Sequence, residues 1–230
     1  MKIGIFGDIH GNRLAFEEIH TQLKNESCDL HIFLGDVCGY YYRQNDIIEM
    51  LRNIPHLHAV IGNHDAAFLE AIDNEMLLKD YSEHFGRSFE LLKDNITDAN
   101  LEFLKSLPQE ILLPSYNIAA YHGSPWKPLS EYIYPNSPLD RFDELPFDIV
   151  FLGHTHYPMD RKSFTVRVIN PGSAGQPRDG GWPSYAVYDT ETKIAEIKRV
   201  PYDVSTMIHV VEVMNEDKIY LVEVLQRINS

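Results

Sequence analysis

Three short apolar runs, at residues 3–6, 30–34 and 57–61, each break off into glycine followed by a polar residue: Gly7-Asp8, Gly35-Asp36 and Gly62-Asn63. Between the runs, apolar residues recur at helical spacing, with Leu14, Ala15, Ile19 and Leu23 in the first gap and Ile47, Ile48, Met50 and Leu51 in the second. Strand and helix alternating in this way predict a parallel sheet, because parallel neighbours need a crossover and a helix supplies it. In open α/β sheets, ligands bind outside the carboxyl ends of the strands. Asp8, Asp36 and Asn63 therefore stand where chemistry is expected.

Beyond this frame the pattern changes. Residues 66–107 read as mostly helical, with Thr97 as an N-cap ahead of Leu101, Phe103 and Leu104 and with Pro108 past the end. Strands follow at 111–113, 118–121, 149–152, 166–169 and 185–188. Residues 123–147, rich in Pro, Ser and Tyr, read as a long surface loop with room for one helical turn. From Asp203 onward, Met207, Ile208, Val210, Val211, Val213, Ile219, Leu221, Val222 and Leu225 predict a C-terminal helical stretch whose apolar face suits either a core or a dimer. With no internal repeat and no linker composition, the 230 residues are expected to form a single domain spanning 1–230.

Composition limits the function classes. No apolar run approaches the roughly 18 residues of a membrane span, and Met1-Lys2 leads directly into the first strand, leaving no space for a signal segment. Cys28 and Cys38 are too few for a disulfide framework, so a reduced, cytoplasmic setting is expected. Acidic residues outnumber basic ones by 34 to 20, for a formal net charge of −14. This speaks against a general nucleic-acid groove, which needs a basic stripe. It also repels anionic substrates, unless bound divalent cations reverse the sign locally.

Metal-binding residue types gather at those strand ends and at two later ones. Asp8-Ile9-His10 and Gly153-His154-Thr155-His156 place potential ligands two apart after a strand, and Gly35-Asp36, Gly62-Asn63-His64-Asp65 and His122-Gly123-Ser124 supply the rest. Carboxylates bring charge and can bridge, imidazoles suit borderline transition metals, and an amide oxygen can complete a shell. Such a mixed set fits two divalent ions roughly 3.5–4 Å apart, which can clamp the attacking and leaving oxygens of an in-line displacement. A lone histidine at a strand end is more often a surface or capping residue, and His20, His31, His56, His58, His84 and His209 take that reading. No Gly-x-Ser-x-Gly elbow or Walker loop is present, which removes serine-hydrolase and NTP-driven chemistry.

In their order and spacing these motifs resemble the calcineurin-like metallophosphoesterase superfamily, over about residues 1–190. With the Asn170-Pro171-Gly172-Ser173 turn they look most like its small bacterial and archaeal phosphodiesterases. The resemblance implies a four-layer α/β/β/α sandwich of two packed mixed sheets flanked by helices, an α/β (α+β) fold. It implies two divalent ions (Mn, Fe, Zn, Ni or Co), one held by Asp8, His10 and His156 and the other by Asn63, His122 and His154, with Asp36 bridging. A hydroxide between the ions would attack phosphorus, and His64 would assist the leaving group. One departure counts against protein phosphatases and dinucleoside tetraphosphatases. Those relatives carry Asp-Arg-Gly two residues after Gly-Asp, whereas here Val37-Cys38 is followed by Gly39-Tyr40-Tyr41. The Asp that would orient the catalytic histidine is absent, with Asp65 a candidate in its place.

A small phosphodiester or nucleotide is the expected substrate. The alternatives are a phosphomonoesterase, a nucleotide pyrophosphatase, or a non-catalytic scaffold of the same fold. Substrate contacts are expected from Arg178, which suits bidentate phosphate binding, from Tyr40 or a neighbouring tyrosine, and from Ser124 and Trp126 beside a ligand.

Overall fold

The computed structural model describes residues 1–214 and 217–228. The first half opens with β1 (Lys2–Phe6), α1 (Arg13–Asn25), β2 (Leu30–Phe33), α2 (Gln44–Arg52) and β3 (Leu57–Ala59). Asn12 starts α1 by accepting the Ala15 amide, and the helix buries Ala15, Phe16, Ile19 and Leu23 against the sheet. Four helices follow: α3 (Asn63–Ala71), α4 (Glu75–Phe85), α5 (Ser88–Asn95) and α6 (Asp98–Ser106). Thr97 caps α6 through the Asn100 amide, as its sequence position predicts.

The second half contributes β4 (Glu110–Leu113), β5 (Ile118–Tyr121), β6 (Ile149–Leu152), β7 (Met159–Lys162), β8 (Arg167–Asn170), β9 (Ser184–Asp189) and β10 (Ala195–Arg199). It closes with α7 (Val204–Val213) and α8 (Ile219–Gln226), two helices where the sequence suggested one stretch. β7 and β10 were not anticipated.

The strands form two five-stranded sheets, ordered β10-β9-β1-β2-β3 and β4-β5-β6-β8-β7. β1, β2 and β3 run parallel, as do β5, β6 and β8, and the outer strands of each sheet pair antiparallel except β3. Ile3, Ile5, Ile32 and Leu34 from the first sheet meet Ile118, Ala120, Ile149, Phe151 and Ile169 from the second in one buried cluster between the sheets. The opposite side of the first sheet is covered by α1 to α6 through Phe6, Phe16, Phe33, Ile47, Phe68 and Phe89. The expected sandwich of two mixed sheets flanked by helices is the observed fold. Its fourth layer is thin: the outer face of the second sheet packs against Ile133, Leu139 and Phe142 from the 123–147 segment, whose regular structure is one 3₁₀ turn at Asp140–Glu144. With its two sheets stacked, the carboxyl ends of β1, β2, β3, β5 and β6 all open on one edge.

Candidate metal centre

Every sequence-predicted ligand lies just past one of those five carboxyl ends. Asp8 and His10 follow β1, Asp36 follows β2, Asn63 opens α3 after β3, His122 follows β5, and His154 and His156 follow β6. The strand-to-helix turns bend sharply enough to aim these side chains at one point. Asp8, His10, Asp36, His154 and His156 all hold positive φ, between 52° and 69°. That left-handed conformation is costly for residues with a Cβ and concentrates at functional sites.

Neighbouring loops hold the turns in place. Asp65 accepts the amides of Asp36 (2.8 Å), Cys38 (2.9 Å) and Gly62 (3.0 Å), tying the β2 and β3 turns together. On the other side, the Ser173 hydroxyl donates to the Asp8 carbonyl at 2.6 Å, and the Ala174 and Gly175 amides donate to the Gly7 and Asp8 carbonyls. Gly175 passes so close that a Cβ there would sit 1.8 Å from the Ile9 carbonyl oxygen. The Asn170–Gly181 loop is thus clamped onto the first motif, and it carries Arg178 to the site.

Hydrogen bonding fixes the imidazole tautomers. Nδ1 of His10 donates to the Cys38 carbonyl (2.8 Å) and Nδ1 of His156 to the Gln176 carbonyl (2.7 Å). Burial holds both rings well below the ordinary histidine range, so both are neutral and neither Nε2 bears a proton. Yet the two Nε2 atoms face each other at 3.0 Å, lone pair to lone pair. With an oxygen of Asp8 3.7 Å from His156 Nε2 and an oxygen of Asp36 3.7 Å from His10 Nε2, this is an arrangement of acceptors that a cation resolves. A second cluster sits beside it. Nδ1 of His122 donates to the Leu34 carbonyl (2.8 Å), and its Nε2 points at Asn63 Oδ1 (2.8 Å), His154 Nδ1 (3.1 Å) and Asp36 (3.4 Å). Asp36 borders both groups, and the ligand atoms of Asp8, His10 and His156, and of Asp36, His122 and His154, each lie within 4.8 Å of one another.

The electrostatics of the metal-free cluster point the same way. Burial, reinforced by Asp36 and opposed by His122, lifts the Asp8 carboxyl to about 8. Burial works against ionising Asp36 too, but His122, His64 and His10 together outweigh it and keep its carboxyl well below the usual range. His122 loses stability as a cation through burial, and Asp36 and Asp8 nevertheless push it up to about 9. Burial and the neighbouring His122 bring His154 down to about 3. Proton affinity is thus raised at both Asp8 and His122, as expected of groups arranged to hold positive charge, and the donor set fits divalent ions.

Around this floor stands a rim. His64 is half-buried at the start of α3, with its backbone amide donating to Asp36 (2.8 Å) and its ring edge-on to His10, centroids 4.9 Å apart. Its Nδ1 meets the Tyr81 hydroxyl on α4. Asp65, the candidate for orienting His64, instead spends its oxygens on the backbone, and Tyr81 takes that position. The ring of Tyr40 lies 4.7 Å from that of His10 and 4.9 Å from that of His64, and its hydroxyl accepts from Arg178 Nη2 at 3.1 Å. Ser124 is buried, with its hydroxyl donating to Glu131 and accepting the Trp126 and Lys127 amides, so it organises its own loop. Trp126 packs on Phe142 under Arg141. Sequence reasoning missed Tyr81 and also Tyr132, whose ring stacks on His154 at 3.8 Å and lies parallel to that of Tyr134.

The sequence pattern of the calcineurin-like phosphoesterase superfamily domain matches residues 1–193. The chain belongs to this superfamily of phosphoester hydrolases. It is 33% identical over 226 residues to an uncharacterised protein of Methanocaldococcus jannaschii, covering 88% of each chain. It is 24% identical over 204 residues to the phosphodiesterase YfcE of Escherichia coli, covering 83% of this chain and 89% of that protein. The crystal structure of a metallophosphoesterase from Sphaerobacter thermophilus superimposes with a TM-score of 0.82 at 27% identity, over 99% of both chains. Among the described residues, no helix is long and apolar enough to cross a membrane.

Proposed function

We propose that the protein is a two-metal phosphodiesterase acting on a small diester or nucleotide. The observation that carries this reading is the convergence of unprotonated His10 and His156 Nε2 atoms 3.0 Å apart beside two buried carboxylates, an acceptor cluster in need of cations. In this reading Asp8, His10 and His156 would hold one ion and Asn63, His122 and His154 the other, with Asp36, which borders both groups, available to each. Bound divalent ions supply the charge that draws in a phosphate and acidifies water to a nucleophile.

The residues of the chain do the rest. The Cys38, Leu34 and Gln176 carbonyls each take an Nδ1 proton and so turn the Nε2 atoms of His10, His122 and His156 to the centre. Arg178 offers its guanidinium to a phosphate oxygen and is itself steadied by Tyr40. His64 donates a hydrogen bond towards the leaving oxygen. The diester preference is supported by the relatives named phosphodiesterases. The test is a screen of the metal-supplemented protein against aryl diesters, aryl monoesters and nucleotides, with Asp36→Asn as control. Cleavage of diesters over monoesters is expected. A preference for monoesters would move the assignment to a phosphomonoesterase, and metal binding without any hydrolysis would make the chain a scaffold.

A further inference from the structure

The chain lacks the aspartate with which its better-known relatives orient the catalytic histidine, yet His64 is not left unheld. Tyr81 comes from the middle of α4 and places its hydroxyl on His64 Nδ1. The phenol is buried, and its ring lies flat on Phe89, centroids 3.4 Å apart and planes 4° apart. The ring of Phe85 closes the same corner, 4.8 Å from Tyr81 and 5.8 Å from His64. The sequence departure after Asp36 makes room for this pair. Gly39 holds a φ of 97°, and a Cβ there would stand 2.7 Å from His64 Nδ1 and 3.0 Å from the Tyr81 hydroxyl. Where those relatives have the aspartate, this chain has Gly39, and the imidazole–phenol contact lies directly against it.

The chemistry of the substitution differs from that of a carboxylate. A carboxylate accepts a proton from Nδ1 and favours a charged imidazole. A phenol with an ordinary pKa near 10 is protonated at neutral pH and donates its O–H to Nδ1. The ring proton is then confined to Nε2, the one nitrogen left for a substrate. We infer that Tyr81 is the positioning residue for His64, fixing it in the Nε2–H tautomer so that it meets the leaving group as a hydrogen-bond donor. The inference rests on the proposed role of His64, but its structural half can be read without turnover.

The test is Tyr81→Phe, which keeps the ring on Phe89 and removes one oxygen. In the metal-free protein, ¹⁵N shifts of the His64 ring are expected to show the proton on Nε2 in the wild type and a mixture of tautomers in the variant. In the metal-supplemented enzyme, metal content and KM should hold within about twofold, while kcat falls about 10- to 100-fold, the range typical when a group supporting an active residue is removed. The fall should be steeper for alkyl than for nitrophenyl leaving groups, because the alkoxide needs the donor more. Unchanged ring shifts, or an unchanged kcat on both classes of ester, would overturn the inference. If the wild type cleaved no ester at all, the functional reading would fail, and the ring shifts alone would still decide on Tyr81.

Discussion

The floor of the site and its rim are built on different principles. The floor residues Asp8, His10, Asp36, His122 and His156 are buried and follow strand ends directly; their imidazoles donate to backbone carbonyls and their carboxylates accept backbone amides. The rim residues Arg178, Tyr40, Tyr81, Phe85 and Tyr132 come from three loops and from α4, and touch one another or the floor histidines mainly through ring contacts. A rigid, pre-ordered floor suits a reaction whose difficulty lies in gathering charge. A rim assembled from loops and a helix outside the two sheets is where one fold can be fitted to different substrates. If this division is right, floor changes should remove metal and chemistry together, and rim changes should alter rate or affinity with the metal in place.

The largest effect should follow Asp36→Asn, because Asp36 borders both acceptor clusters. Metal content measured on the purified protein should fall along with activity. The loss should exceed the roughly 10–100-fold that removing an outer supporting group costs. An Asp36→Asn protein that retained two ions would break the comparison at its base.

Next in size is Gly175→Ala, a floor mutation in a residue that carries no ligand atom. The new methyl would lie 1.8 Å from the Ile9 carbonyl oxygen, so the Asn170–Gly181 loop would have to lift from the first motif. A destabilisation of about 3 kcal/mol, the upper part of the range for overpacking, is expected in denaturant unfolding. Weakened metal binding should accompany it, since Gln176 loses its hold on His156. Full metal affinity in a destabilised variant would show that the loop supports the fold but not the floor.

Much of the floor could be read from sequence, and little of the rim. Asp8, His10, Asp36, Asn63, His122, His154 and His156 sit in contiguous motifs at the ends of apolar runs, so their proximity follows from parallel strands ending on one edge. The left-handed backbone at five of them, Asp8, His10, Asp36, His154 and His156, is harder to read, because glycine is the usual signal and these positions are not glycine. β7 and β10 escaped notice for a related reason. Met159–Lys162 and Ala195–Arg199 are edge strands full of exposed charge, the composition that protects an edge and hides a strand. Tyr81 lies among Leu77, Leu78 and Phe85 on an amphipathic helix, where helical spacing reads as core. Tyr132 lies in a loop with no pattern at all.

A smaller, continuous effect tests the floor's electrostatics. Without metal, burial lifts the Asp8 carboxyl to about 8 and the neighbouring carboxylates push His122 up to about 9, so protons are held at this pair near neutral pH. Metal must displace those protons, and affinity should therefore rise with pH. Between pH 6 and 8 the gain should be about tenfold per unit for each proton released, levelling off above pH 9. Calorimetric titrations in buffers of different ionisation enthalpy would count the protons directly. Affinity independent of pH over this window would mean that the cluster is already deprotonated without metal.

The smallest expected effect belongs to the rim. Tyr132 is about half exposed, with one ring stacked on His154 and its neighbour Tyr134 parallel to it, so the pair offers a flat apolar surface beside the second acceptor cluster. Replacing Tyr132 with Leu keeps some cover over His154 but removes the aromatic face. If an aryl or nucleobase group of the substrate rests there, KM for an aryl diester should rise by about 2- to 10-fold, the equivalent of the roughly 0.5–1.5 kcal/mol that an aromatic pair contributes beyond buried area. The metal content and the rate at saturating substrate should stay as they were. A fall in metal content instead would place Tyr132 with the floor, as a brace for His154, and would move the boundary between the two regions outward by one residue.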